Sequence, residues 1–195
     1  DNPLVFPDAS GGGVPDLLSA GNFHGMPVAL PLDVVAIGIA HLAGIAERRV
    51  YHMLSAFDEQ AGLPAFLSPQ PGLHSGLMIV QYAAAAACNE LVALANPASV
   101  VNLSTCAGME DYNSYGPRSA AKGARGIELA RRVVAIELLC AAQAIESHRP
   151  LKTGDRLERA HETIRSRVPV LEADRSPTPD VEAIAELIAD EAFGD

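Results

Sequence analysis

The segment Ser104-Thr105-Cys106-Ala107-Gly108-Met109-Glu110-Asp111-Tyr112-Asn113-Ser114 concentrates two adjacent carboxylates, hydroxyl and amide donors, a thiol and a glycine between Ala-rich stretches. A carboxylate in such company serves as a proton acceptor or as the hydrogen-bond acceptor for an N–H group. Taking an ionised carboxylate out of water is costly unless it is paired or hydrogen-bonded. The Glu110-Asp111 pair therefore needs either partners or a purpose. On a purely structural reading, Asp111 caps a helix and Glu110 is solvated in its first turn. Cys106 lies in the same segment, and no His stands near it in sequence to make a thiolate.

A second polar cluster, Gly21-Asn22-Phe23-His24-Gly25, brackets an aromatic ring and an imidazole between glycines. The glycines permit a tight turn and close approach, while Phe23 and His24 offer a stacking face and a hydrogen-bonding face. The alternative is an ordinary loop in which Asn22 helps to cap the following helix. The six histidines show no pair at three- or four-residue spacing, so no metal is expected. Gly11-Gly12-Gly13 lacks the Lys-Ser/Thr of a phosphate loop. Glu47-Arg48-Arg49 reads as a solvated or inter-subunit charged patch.

These clusters must be held by helices. Prolines 3, 7 and 15 with the triple glycine make residues 1–25 an irregular lead-in that denies both a helix and a central strand. The apolar pattern over 28–54 predicts a buried helix with Pro27 and Pro31 in its first turns. A Pro- and Gly-rich loop over 55–72 separates it from a second helix over 73–95, apolar almost all round and ended by Asn96-Pro97. After the breaker pair Gly116-Pro117, a third helix is expected over 118–148, its apolar run interrupted by Glu137 and Gln143. Two short amphipathic helices over 155–167 and 181–193 complete the chain. The fold class is all-α, a long-helix bundle with an irregular N-terminal loop and short peripheral C-terminal helices, divided into a core over 1–150 and a tail over 151–195.

Composition narrows the function classes. The chain has 195 residues, 49% of them hydrophobic and only 5% aromatic with no Trp, so its core is built from Ala, Leu, Val and Ile. A net charge of -10 argues against nucleic acid, whose phosphates reward a basic face. Three widely spaced cysteines, Cys88, Cys106 and Cys140, read as reduced, mostly buried thiols of a cytoplasmic protein. The apolar run Ala83 to Ala87 is too short to span a bilayer, and no membrane association is expected. The chain begins at Asp1 without a Met, which reads as a piece of something longer. Central helices of about 25 residues would be almost 40 Å long. Helices of that length pack against equals from more chain or from other subunits.

Several motifs stand in a shared order: Asp1-Asn2-Pro3-Leu4, Gly21-Asn22-Phe23-His24-Gly25, Glu47-Arg48-Arg49, Gly62-Leu63-Pro64, Pro71-Gly72-Leu73, Ser75-Gly76-Leu77-Met78, Asn96-Pro97-Ala98-Ser99-Val100 and Met109-Glu110-Asp111. In that order and at about that spacing, the chain resembles the C-terminal half of the aromatic amino-acid ammonia-lyase family, in particular its histidine ammonia-lyase branch. The resemblance runs from Asp1 to about Arg149 and continues more loosely to the C-terminus.

The resemblance implies a homotetramer of long helical bundles whose active sites form where subunits meet. It implies elimination of ammonia from histidine, phenylalanine or tyrosine, a small-molecule amino acid substrate, by a methylidene-imidazolone electrophile made from an Ala-Ser-Gly outside this segment, in the N-terminal half of the enzyme. Ala9-Ser10-Gly11 lies in a connecting loop and lacks the context of that tripeptide. By resemblance Phe23 and Asn22 lie against the electrophile, Phe23, His24, Met109 and Glu110 face the substrate, and Glu110 is catalytic. The phenylalanine and tyrosine enzymes usually have an amide where Glu110 stands, and a carboxylate suits an imidazole that donates N–H bonds. The histidine enzymes commonly have Gln where this chain has Met109 and His where it has Tyr112, and Asn113-Ser114 is similar to the phenylalanine-type pattern. The expected function is therefore the C-terminal portion of a histidine ammonia-lyase, inactive by itself. The alternatives are a phenylalanine/tyrosine ammonia-lyase or aminomutase of the same family, and a non-catalytic helical assembly module.

Overall fold

The computed structural model describes residues 2–8, 11–100 and 102–194. Ala9 and Ser10 of the Ala-Ser-Gly tripeptide lie outside them. The elements in chain order are β1 (Leu4–Phe6), β2 (Asp16–Leu18), α1 (Met26–Ser55), α2 (Met78–Leu94), α3 (Gly116–Glu146), α4 (Asp155–Arg165) and α5 (Thr178–Ala189). The architecture is all-α, with one correction at the N-terminus. The lead-in contains a small antiparallel ribbon in which Leu4 pairs with Leu18 and Phe6 with Asp16.

α1 buries a narrow stripe. Ala29, Ala36, Ala43 and Val50 recur every seven residues and all are buried, as are Asp33, Glu47 and Leu54 of the second seven-residue series. Small side chains in this seam let α3 approach closely along much of the length of α1. Pro27 sits in the first turn, where no N–H bond is lost, whereas Pro31 lies inside the helix and forgoes one. α3 answers with Leu129, Val133, Ile136 and Cys140 at helical spacing, and α2 adds Val80, Ala84 and Leu91.

Gly116-Pro117 starts α3 rather than breaking the chain before it, because a proline in the first turn costs no hydrogen bond. α2 begins at Met78, five residues later than its apolar pattern suggests. The Ser75 and Gly76 amides donate to the two carboxylate oxygens of Asp174, each at 2.8 Å, which takes them out of a helical ladder. Gly76 has φ +59°, and a Cβ there would lie 2.5 Å from the Phe66 carbonyl oxygen, so only glycine fits.

The two polar interruptions of α3 are fastenings. Gln143 accepts from the Leu171 amide at 3.0 Å and donates to the Leu171 carbonyl at 3.3 Å, which ties the C-terminal tail to the bundle. Glu137 takes Arg49 in a two-point ion pair, with Nη2 to Oε2 at 2.9 Å. The Glu47-Arg48-Arg49 patch is thus only partly solvated. Glu47 is buried and its Oε1 accepts from Gln81 Nε2 of α2 at 2.7 Å, and Arg48 closes on its other oxygen. α4 is held at the far end of α3, where His161 and Arg165 both meet Glu146 Oε1, at 2.8 and 2.9 Å. Of the three thiols, Cys140 is buried and burial pushes its pKa up, Cys88 is half-buried, and Cys106 is exposed, contrary to its expected burial.

α1 and α2 each keep an apolar face uncovered. Leu30, Val34, Leu42 and Ile45 of α1 and Ile79, Tyr82 and Val92 of α2 are exposed. By length and composition alone, the helical stretch 21–55 is apolar enough to cross a membrane.

Candidate functional site

The two polar clusters meet where α1 and α3 begin. Gly21–Phe23 forms one 3₁₀ turn, closed by the His24 amide on the Gly21 carbonyl at 3.0 Å. No side chain caps α1 at Gly25, so Asn22 does not cap that position. Instead the Met26 amide in the first turn donates to His24 Nδ1 at 3.2 Å, and His24 Nε2 faces the Tyr112 carbonyl at 2.8 Å. The structure thus gives His24 two main-chain partners rather than a free ring nitrogen for a substrate. The His24 and Tyr112 rings lie 5.8 Å apart. A Cβ on Gly25 would meet Ser114 Oγ at 2.7 Å, so a larger residue would have to turn that hydroxyl aside where the two loops approach.

The acidic pair does not start a helix. Thr105 and Glu110 pair as an isolated antiparallel bridge, with amide to carbonyl distances of 2.8 and 3.2 Å in the two directions. The tip turns through Cys106, Ala107 and Gly108, all left-handed, with φ of 52°, 54° and 91°. The loop base is closed by Asn102 and Asn113, whose side-chain and main-chain amides and carbonyls interlock, Asn102 Nδ2 lying 2.9 Å from the Asn113 carbonyl. α3 begins only at Gly116, capped by Tyr115, so Asp111 is not its cap. Glu110 and Asp111 are exposed, and among the described residues neither carboxylate has a hydrogen-bond or ion-pair partner. Met109 is 82% exposed and Phe23 53%. The embedded acid pair inferred from Ala-rich flanks is a hairpin standing off the bundle.

The structure exposes one group that the sequence reading passes over. Asp33, on the buried seam of α1, meets Lys122 of α3 at 2.9 Å, and both side chains are almost fully buried. Its other oxygen accepts from the Ala98 and Ser99 amides at 2.9 and 2.8 Å, while Lys122 also donates to the Asn96 carbonyl. Burial alone would raise the Asp33 pKa; the Ser99 amide and the Lys122 ammonium outweigh it and hold the carboxyl well below the usual range. This knot fixes the Asn96–Ser99 turn that leads into the Glu110 loop. The available signal was a single carboxylate in an otherwise apolar stretch, at a position seven-residue spacing assigns to the seam.

Phe23, His24, Met109 and Glu110 therefore stand on two touching loops. The His24–Tyr112 contact and the close approach of Gly25 to Ser114 join these loops, and Phe23 and Glu110 are exposed on them. Among the described residues no three His, Cys, Asp or Glu side chains gather as metal ligands. A groove of about 950 Å³ between α2, α3 and α5, lined by Val80, Ile136 and Arg125, contains none of the site residues.

A profile of the aromatic amino acid lyase family matches residues 1–166. Histidine ammonia-lyase of Symbiobacterium thermophilum is 48% identical over 188 residues, which are 96% of this chain and 36% of that protein. In three dimensions the chain superposes on histidine ammonia-lyase from Trypanosoma cruzi with a TM-score of 0.92 and 41% identity, covering 99% of this chain and 37% of that one. Tyrosine aminomutase from Streptomyces globisporus gives 0.90 and 32% identity, with 99% and 36% covered. The chain spans little more than a third of the length of the relatives it matches.

Proposed function

The chain belongs to the aromatic amino acid lyase family, and from that premise we propose that it is the C-terminal portion of an ammonia-lyase converting L-histidine to urocanate. The observation that carries this reading is Glu110: an exposed, unpartnered carboxylate on a backbone pinned from both directions, in a chain 48% identical to a histidine ammonia-lyase. An acceptor with no protein partner is free to take an N–H from an imidazole. Phe23 supplies the apolar ring against which a flat group packs. Met109 makes the neighbouring wall apolar and adaptable.

Enzymes of this family use a methylidene-imidazolone electrophile, which supplies the electron sink that makes an amine a leaving group. The residues present fit one side of such a group, since Phe23 offers an exposed planar face and no cationic side chain competes for it on the His24 or Glu110 loops. We place the Ala-Ser-Gly source of the electrophile outside this segment. Phe23 and Asn22 would lie against it, while Glu110 orients the substrate and holds its proton-donating side. The N-terminal half of the enzyme must then bring the groups opposite, and this segment alone is inactive.

The uncovered faces of α1 and α2 support assembly, as a homotetramer in which other subunits and the rest of the enzyme cover them. Protein rather than lipid suits α1, because its buried seam carries Asp33 and Glu47. A cytoplasmic enzyme with no nucleic-acid or membrane partner follows from this reading and from the net charge of -10. Expressed by itself, the chain is expected to self-associate in light scattering; a stable monomer would show that these faces tolerate water.

The complete gene product incubated with L-histidine, L-phenylalanine and L-tyrosine tests the activity through the absorbance of the conjugated acrylate. Urocanate is expected. Cinnamate or coumarate alone would move the substrate to the phenylalanine/tyrosine type. A second reading, an aminomutase, rests on the likeness to a tyrosine aminomutase; it predicts a β-amino acid product, detectable by mass spectrometry.

A further inference from the structure

We propose that His24 is a positioning residue, whose imidazole sets the Glu110 loop against the Phe23 loop; the assignment rests on the reading of Phe23 and Glu110 as two parts of one substrate wall. The ring nitrogens have unlike partners. Nδ1 faces the Met26 N–H and must accept, so it carries no proton; Nε2 faces the Tyr112 carbonyl and must donate, so it carries one. One neutral tautomer thus joins the first turn of α1 to a residue two positions after Glu110. The loop's side-chain hydrogen bonds from Asn102 and Asn113 stay inside the loop itself, reaching only Asn113, Asn102 and Leu103. Among the described residues these bonds hold its shape, and none of them reaches the Phe23 loop. Gly25 opposite Ser114 leaves the two main chains close enough for a single ring to span them.

The two bonds can be separated by substitution. In His24→Gln the side-chain Nε2–H extends as far as imidazole Nε2 and keeps the bond to Tyr112. In His24→Asn the Oδ1 atom replaces Nδ1 toward Met26 but nothing reaches Tyr112. Both variants are made in the complete enzyme. Asn is expected to lower kcat about 10²-fold, the loss that a misplacement of about 1 Å brings, with KM changed far less, and Gln to restore kcat to within a few-fold of the parent. Hydrogen exchange at the Thr105 and Glu110 amides provides a readout independent of activity. It is expected to quicken about tenfold in Asn, the worth of one hydrogen bond, and to stay near the parent in Gln. An Asn variant as active and as protected as the parent, or a Gln variant as impaired as Asn, overturns the assignment. If the parent proves inactive on all three amino acids, the lyase reading fails, while the exchange comparison still decides for or against the bridge.

Discussion

Glu110→Gln in the complete enzyme is expected to reduce turnover of L-histidine by about 10²- to 10⁴-fold, the usual worth of a positioned acid–base group, without lowering Tm. Two structural facts separate the chemical loss from a folding loss. The Glu110 side chain is exposed and has no hydrogen-bond or ion-pair partner among the described residues. Its backbone is fixed by Thr105 through main-chain bonds at 2.8 and 3.2 Å that any side chain permits. Gln keeps the volume and removes the charge, so an imidazole N–H bound as proposed would lose a charge-assisted acceptor and meet an amide that donates as readily as it accepts. Steady-state kinetics on histidine together with a thermal melt check this. An unchanged kcat would remove Glu110 from the chemistry, and a fallen Tm would assign it a structural task that no contact among the described residues suggests. Asp111→Asn, one residue away and equally exposed, is expected to do little to stability, within about 0.5 kcal/mol.

The largest loss of stability is expected from Asp33→Ala, about 3–5 kcal/mol, the cost of removing one member of a buried ion pair. The variant strands the Lys122 ammonium at 4% side-chain exposure and leaves the Ala98 and Ser99 amides without their acceptor. Denaturant unfolding of the complete protein measures it. The contribution has a defined pH dependence. The folded carboxyl sits below its ordinary value of 3.8, so its stabilisation is complete above that pH and is lost as pH falls from there through the folded value. The gap between parent and variant is therefore expected to hold from pH 7 down to about pH 4 and to close in stronger acid. A gap that instead widened on acidification would mean that Lys122 and the two amides do not stabilise the ionised form.

Much of the fold is legible in the chain because helix-forming patterns are local. The apolar runs place α1 and α3 within two residues of their observed starts and ends, and Ala-rich composition correctly implies close-packed helices. The errors occur where a distant group intervenes. α2 starts late because Asp174, about a hundred residues further on, takes the Ser75 and Gly76 amides. Glu47 reads as a surface charge until Gln81 of the next helix is seen to donate its side-chain N–H to it inside the seam.

The site divides in the same way. Residue types and motif order suffice to single out Phe23, His24, Met109 and Glu110 and to point to the family, since those features are carried by the chain itself. Whether Glu110 is a helix-turn acid or a hairpin acid, whether His24 faces ligand or main chain, and which cation neutralises Asp33 are settled by contacts through space. His24 meets Tyr112 across 88 residues and Asp33 meets Lys122 across 89. No local periodicity encodes such pairings; they exist only once α1 and α3 lie side by side, which brings two loops with no sequence proximity to within one hydrogen bond of each other.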